Sequence, residues 1–161
     1  MYINVLSILG AIPLFIISVY SLSHSCRSIP KLRRYEDRAE KSAEWSNVVE
    51  KRLWATRYTV TAGFVTTAIS LCASVFYLLS DTHTCKIRAV VAAACLAFMG
   101  LRTSEYMRDF WADKHKIPLM DEYNDAVSHT VHVMGLSGVL GMGWGVMAAI
   151  KTWELLSWHL H

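Results

Sequence analysis

Long stretches of this chain hold no charge. Lys, Arg, Asp and Glu supply 18% of its 161 residues, and none falls in 1–26, 58–80, 89–101 or 126–150. With 53% hydrophobic residues and a mean hydropathy of +0.29, the composition excludes an ordinary soluble domain of this length. Metal-site spacing is missing too. The four cysteines, Cys26, Cys72, Cys85 and Cys95, form no CxxC or CxxH pair. Cys72 and Cys95 read as small apolar packing residues inside helices. The basic residues are interleaved with Glu36, Asp37, Glu40, Glu44 and Glu50 and carry no Arg/aromatic stacking platform. That argues against nucleic acid as a partner.

What fills the gaps is helix of spanning length. A helix needs about 20 apolar residues to cross a bilayer core. Three of the gaps reach that length, and the third in chain order does so if "RAVVAAACLAFMGLRTSEYM" runs on through Arg102 and Glu105. The expected fold is all-α, a four-helix transmembrane bundle. It forms a single integral membrane domain over 1–161, with spans near 3–23, 58–80, 88–107 and 126–150. The first segment lacks a basic n-region and a clear A-x-A site, so it reads as a retained helix, kinked at Pro13, rather than a cleaved leader.

Orientation follows from Lys and Arg in the loops. Thirteen of the 16 lie between the first and second spans or from Arg102 to Lys116, and only Lys86, Arg88 and Lys151 lie on the other side. The basic loops are therefore expected to face the cytosol or a matrix. Both termini and "DTHTCKIR" are expected opposite, in an endoplasmic reticulum or mitochondrial inner membrane. The first long loop, "YEDRAEKSAEWSNVVEKRLWATRY", has no Gly or Pro and sets Trp45, Val48, Val49 and Leu53 at i, i+3, i+4 and i+8. It is expected as an amphipathic helix between helices one and two, lying on the membrane or extending helix two. "KTWELLSWHLH" places Trp153 and Trp158 at the opposite interface, and His159 and His161 there read as a frayed tail.

Helix four carries a packing signature. Ser137, Gly141 and Gly145 stand four apart, and such small-residue stripes let backbones approach closely in lipid. Ala-rich helix three is the expected partner; the stripe could instead leave a groove for a flat ligand. The same faces could take part in self-association or receive other membrane subunits.

Alternating helices bring Ser21, Ser23 and His24, then Thr56, Tyr58 and Thr59, to the basic-loop end. Arg102, Thr103, Glu105 and Tyr106, and His129, Thr130 and His132, belong to the same end. Ionisable groups within a span usually face the bundle interior or a wet cavity, so a polar pocket is expected there. Glu105, His129 and His132 are its candidate catalytic acid–base groups, and Arg102, Tyr58 and Tyr106 its candidate substrate-binding groups. Other uses of the histidines stay open. His129 and His132 with Glu105 would make a two-histidine, one-carboxylate metal face. A bis-histidyl haem would need His24 as the second ligand. Interfacial histidines bonding headgroups are the plain alternative. No cofactor is required by the sequence, and no metal is assigned.

Helices two and three also carry a family resemblance. "RLWATRYTVTAGFVTTAISLCASVFYLL", through Trp54, Tyr58, Gly63, Ser70, Tyr77 and Leu78, resembles the second helix of the anthrone-oxygenase-like family of small four-helix membrane proteins. Thr103 and Met107 in "GLRTSEYM" match the Thr-x3-Met that closes that family's third helix. The chain departs at "RDFW", where the family has a Thr-Asn pair, and has no His after Gly63. The resemblance implies oxygen insertion into a reduced, flat polycyclic phenol, for which a base and an apolar slot suffice. "RAEKSAEW" is also similar to the Arg-Ala-x-x-Asn-x-x-Glu motif of the glutathione-dependent eicosanoid enzymes, with Ser42 and Trp45 in the Asn and Glu places. The contrasting expectation is a non-catalytic accessory subunit of a larger membrane complex, such as a mitochondrial respiratory one.

Overall fold

The computed structural model describes residues 2–43, 47–79, 86–112 and 121–159, with side-chain detail for 8–31, 33, 54–79, 87–112, 124–125 and 127–157. Every described element is helical: α1 (Tyr2–Ala43), α2 (Asn47–Leu79), α3 (Lys86–Trp111) and α4 (Asp121–His159). Each contains a segment long and apolar enough to cross a membrane: Ile8–Lys31, Trp54–Leu79, Ile87–Trp111 and Val127–Ser157. The expected spans 3–23, 88–107 and 126–150 lie within α1, α3 and α4, and 58–79 within α2, Ser80 lying outside the described residues. The chain is a four-helix bundle whose four apolar helices fit a small membrane protein.

The helices run further than the spans. No separate helix lies between the first two spans among the described residues. Tyr35–Ala43 completes α1, and the stretch from Asn47 opens α2. Neither Tyr35–Ala43 nor the start of α2 contains Gly or Pro, so each is continuous with the helix it belongs to. The side chains of Trp45, Val48, Val49 and Leu53 lie outside the described residues, as do "DTHTC" and the side chains of Trp158, His159 and His161. Pro13 and Pro30 are both taken within α1.

Cross-helix pairs fix the arrangement. Gly10 meets Met147 and Leu14 meets Gly143, while His24 meets His129. Ser18 pairs with Ser70; Thr66 pairs with Thr103 and Tyr77 with Ala89; Gly100 meets Gly141 and Ser104 meets Met134. Neighbouring helices are therefore antiparallel, in up-down-up-down order. α4 packs broadly on both α3 and α1, and α1 also packs on α2, whereas α2 touches α3 more lightly.

The buried positions alternate by three and four. α1 buries Ala11, Leu14, Ser18, Ser21, Ser25 and Ser28; α4 buries Val133, Ser137, Leu140, Trp144, Met147, Lys151 and Glu154. This is the heptad-like seam of a left-handed bundle. What occupies it is largely polar, with Thr59, Thr66, Thr67, Ser70 and Ser74 along α2. Large apolar side chains such as Phe76, Phe98, Val146 and Trp153 point outward. Such an inverted distribution suits helices that gain nothing by hiding apolar surface from lipid and use small and hydroxylated residues to approach one another.

Two apolar clusters bracket the seam. Ala11, Leu14, Tyr77, Ala93, Leu140, Trp144 and Met147 close one end. Met107, Trp111, Val127 and Val133 pack where α3 ends and α4 begins. Between α3 and α4 the backbones nearly touch: a Cβ on Gly141 would meet Leu101 N at 2.7 Å and Ala97 O at 3.0 Å. The small-residue stripe is thus a contact face, and its middle is filled by helix three, leaving no groove at Gly141. Cys72 and Cys95 do not pack inside. Both are exposed on outward faces, because the inward registers of α2 and α3 fall on Ser70, Ser74, Ala93 and Gly100.

Candidate functional site

At the basic-loop end, α1 and α4 bring three imidazoles together. His24 Nδ1 lies 2.8 Å from His129 Nδ1, a hydrogen bond across 105 residues of sequence. The His24 ring is also 5.4 Å, centroid to centroid, from His132, nearly edge-on. Tyr20, one turn before His24, adds a second edge contact at 4.6 Å. His24 is buried, His129 half-buried and His132 exposed, so the cluster grades from interior to surface.

Protonation follows from the contacts. Two Nδ1 atoms at hydrogen-bond distance must be one donor and one acceptor, so one ring is neutral with its proton on Nε2. His129 Nε2 points toward Asp125 Oδ1 at 3.7 Å, which favours a proton on that nitrogen. His129 then accepts at Nδ1, and His24 donates.

Asp125 is held in turn by Lys31 of α1 through an ion pair. The hydrogen bond from the Lys31 ammonium keeps the Asp125 carboxyl below its ordinary range, desolvation opposes this, and the charge of Lys31 adds to the lowering. The chain Lys31–Asp125–His129–His24 thus leads from a charged surface group to a buried imidazole. It can orient rings, hold a proton, and pass one along.

The residues expected around these histidines are distributed differently. Arg102 and Glu105 do pair, at 3.2 Å, but on the outer face of α3 with side chains 68% and 57% exposed. Tyr58 and Tyr106 are also exposed. Arg102 lies over Phe98 and Arg57 over Trp54, so this rim is a band of cations and aromatics. Of the candidate acid–base groups, His129 and His132 are brought together and Glu105 turns to Arg102. Thr103 reaches inward instead, to Thr66 at 2.9 Å.

Two participants carried weak signals in the sequence. His24 was visible only as a possible partner at the same depth. Asp125 stands four residues before His129, a spacing that places both on one helical face. Below the cluster, Trp144 Nε1 donates to Ser70 Oγ at 2.7 Å, and Ser18 Oγ donates to the same oxygen at 3.0 Å. At the far end Lys151 and Glu154 form a buried pair at 2.9 Å.

The 2.8 Å contact between the His24 and His129 nitrogens is a direct hydrogen bond. Among the described residues, no three His, Cys, Asp or Glu side chains are grouped to hold a metal ion. The two-histidine face with Glu105 is not assembled. Comparison with protein-family models, curated proteins and solved structures finds no match to this chain.

Proposed function

We propose that this chain is a single membrane-embedded domain whose imidazole cluster acts as an acid–base site on a flat, apolar, weakly acidic ligand drawn from the bilayer. The spans cross the membrane with the basic loops on the cytosolic or matrix side, as the Lys and Arg distribution favours. The stretches of α1 and α2 beyond the spans lie against that side, their amphipathic face toward the headgroups. The observation that carries the reading is the His24–His129 bond, with exposed His132 beside it. A ligand arriving along the headgroup layer meets exposed His132 first, with Tyr58, Arg102 and Tyr106 exposed toward the same end of the bundle. Its proton passes to an imidazole nitrogen, and the His24–His129–Asp125 chain stabilises the resulting cation.

The resemblance to anthrone-oxygenase-like proteins gives this chemistry a reaction class. Removing a proton from an anthrone's ring methylene leaves a carbanion that combines with dioxygen. One oxygen becomes the new carbonyl and the other leaves as water. The protein's task is then deprotonation and shielding of a flat ring.

The test uses purified protein in lipid nanodiscs, with anthrone as the probe, under air. Quinone absorbance should grow faster than in empty nanodiscs, and His129→Ala should lower the rate about 100-fold. Wild type that does no better than empty nanodiscs ends the enzymatic reading. A second reading, an accessory subunit, rests on the exposed Arg102–Glu105 pair, which another subunit's helix would cover. Obligate co-purification with partner chains, and no turnover, would favour it.

A further inference from the structure

α1 presents a row of serines to the bundle interior, and two of them are incompletely accounted for. Ser18 bonds Ser70, and Ser28 bonds the carbonyl of Ser25 three residues back. Ser21 is fully buried and Ser25 is 2% exposed, yet neither hydroxyl has a hydrogen-bond partner among the described residues. A helical serine can always turn to a carbonyl of its own preceding turn, as Ser23, Ser74 and Ser137 do here. Ser21 and Ser25 forgo that bond.

Their position gives the omission meaning. Ser21 and Ser25 flank His24 on α1, and Ser18 lies one turn further in. Ser21 stands between the imidazole cluster and the Ser18–Ser70–Trp144 chain, and Ser25 lies on the basic-loop side of His24. Beyond that chain Ala11, Leu14, Tyr77 and Met147 belong to one buried apolar cluster. Buried hydroxyls that lack protein partners are the usual sites of internal water, which typically makes about three hydrogen bonds.

We propose that Ser21 and Ser25 bind internal water, and that this water joins the imidazole cluster to Ser70 and Trp144 as a blind polar inlet. The ligand is water, admitted from the basic-loop end and stopped by the apolar cluster. The inlet hydrates the inner side of His24 without opening a path across the membrane. It goes beyond the acid–base reading, because hydration of the seam does not require turnover.

Two readouts on Ser21→Ala/Ser25→Ala test it in nanodiscs, with Ser23→Ala as a control for losing a serine that bonds its own helix. The first is thermal stability. Removing two dry, orphaned hydroxyls should leave Tm unchanged or raise it, whereas removing two water ligands should lower it below the control. The second is deuterium exchange of the Trp144 indole N–H, identified by its loss in Trp144→Phe. If water reaches the Ser70–Trp144 chain, this proton exchanges through the inlet and should slow at least tenfold in the double variant, despite the lower Tm. Exchange that is unchanged or faster in the double variant, or a Tm at or above the control, overturns the proposal. Neither readout involves catalysis, so its failure is distinguishable from failure of the enzymatic reading.

Discussion

Gly141→Ala adds a single methyl group, and the structure gives its cost a sign. That carbon would sit 2.7 Å from Leu101 N, 2.9 Å from Leu101 Cγ and 3.0 Å from Ala97 O. Ordinary carbon contacts lie near 3.5–4 Å, so the site is short by about an ångström. Two of the three obstacles are backbone atoms of α3, which no rotamer change can move. Gly100 faces the same crossing from the other side, where its Cβ would meet Gly141 Cα at 2.8 Å. The helices must separate, losing contact along the broad α3–α4 face. Overpacking of this kind costs about 1–3 kcal/mol. For a chain of this length that lowers Tm by about 2–12 °C, on the scale of about 2–4 °C per kcal/mol. Gly141→Leu should be worse. Gly135 supplies the internal control, since nothing lies within 4 Å of its Cβ position. Gly135→Ala should therefore be neutral or stabilising by up to about 1 kcal/mol through helix propensity alone. Thermal unfolding of the two alanine variants in one detergent gives the comparison. If Gly141→Ala matched or exceeded wild type, the close crossing at Leu101 would be refuted.

Three further outcomes are expected. His129→Ala removes the acceptor of the buried His24 N–H and should cost about 1–3 kcal/mol, whereas His132→Ala, at an exposed site, should stay within about 0.5 kcal/mol; unfolding measurements that rank them in reverse would contradict the hydrogen-bond assignment. Asp125 is depressed by Lys31, so its contribution to stability is present above the ordinary carboxyl value of 3.8 and fades as pH falls through the lower native value. The advantage of wild type over Asp125→Asn should accordingly be seen at neutral pH and vanish in strong acid, and an advantage independent of pH would show that the carboxylate is not the source. In sealed vesicles, with Cys72 and Cys95 replaced by Ala, Cys26 and Cys85 should react with an impermeant thiol reagent from opposite faces; reaction from one face would refute the proposed crossing of the second span.

Much of the architecture was legible residue by residue. The charge-free runs mark the four apolar segments because excluding charge over about 20 residues is a local property of sequence. Gly141 could be read as a contact for a similar reason. A small residue repeated every fourth position marks one face of one helix, and Ala-rich α3 was the evident complement. The pairing of His129 with His132, and of Arg102 with Glu105, followed from helical spacing alone.

Spacing says that two residues share a face and is silent on where that face points. The tertiary structure turned His129 toward α1, where it meets His24, and turned Arg102 and Glu105 outward with Tyr58 and Tyr106. It also placed Cys72 and Cys95 outside while filling the seam with serine and threonine. In a soluble chain the apolar stripe would have announced the inward face. Here apolar side chains cover outward faces as well as the interior, so hydrophobicity marks which segments are apolar enough to cross a membrane but not how each helix is rotated about its axis. That rotation is set by backbone approach at Gly100 and Gly141 and by the bonds joining Ser18, Ser70 and Trp144. Those contacts link residues scores of positions apart, and they exist only once the four helices have packed.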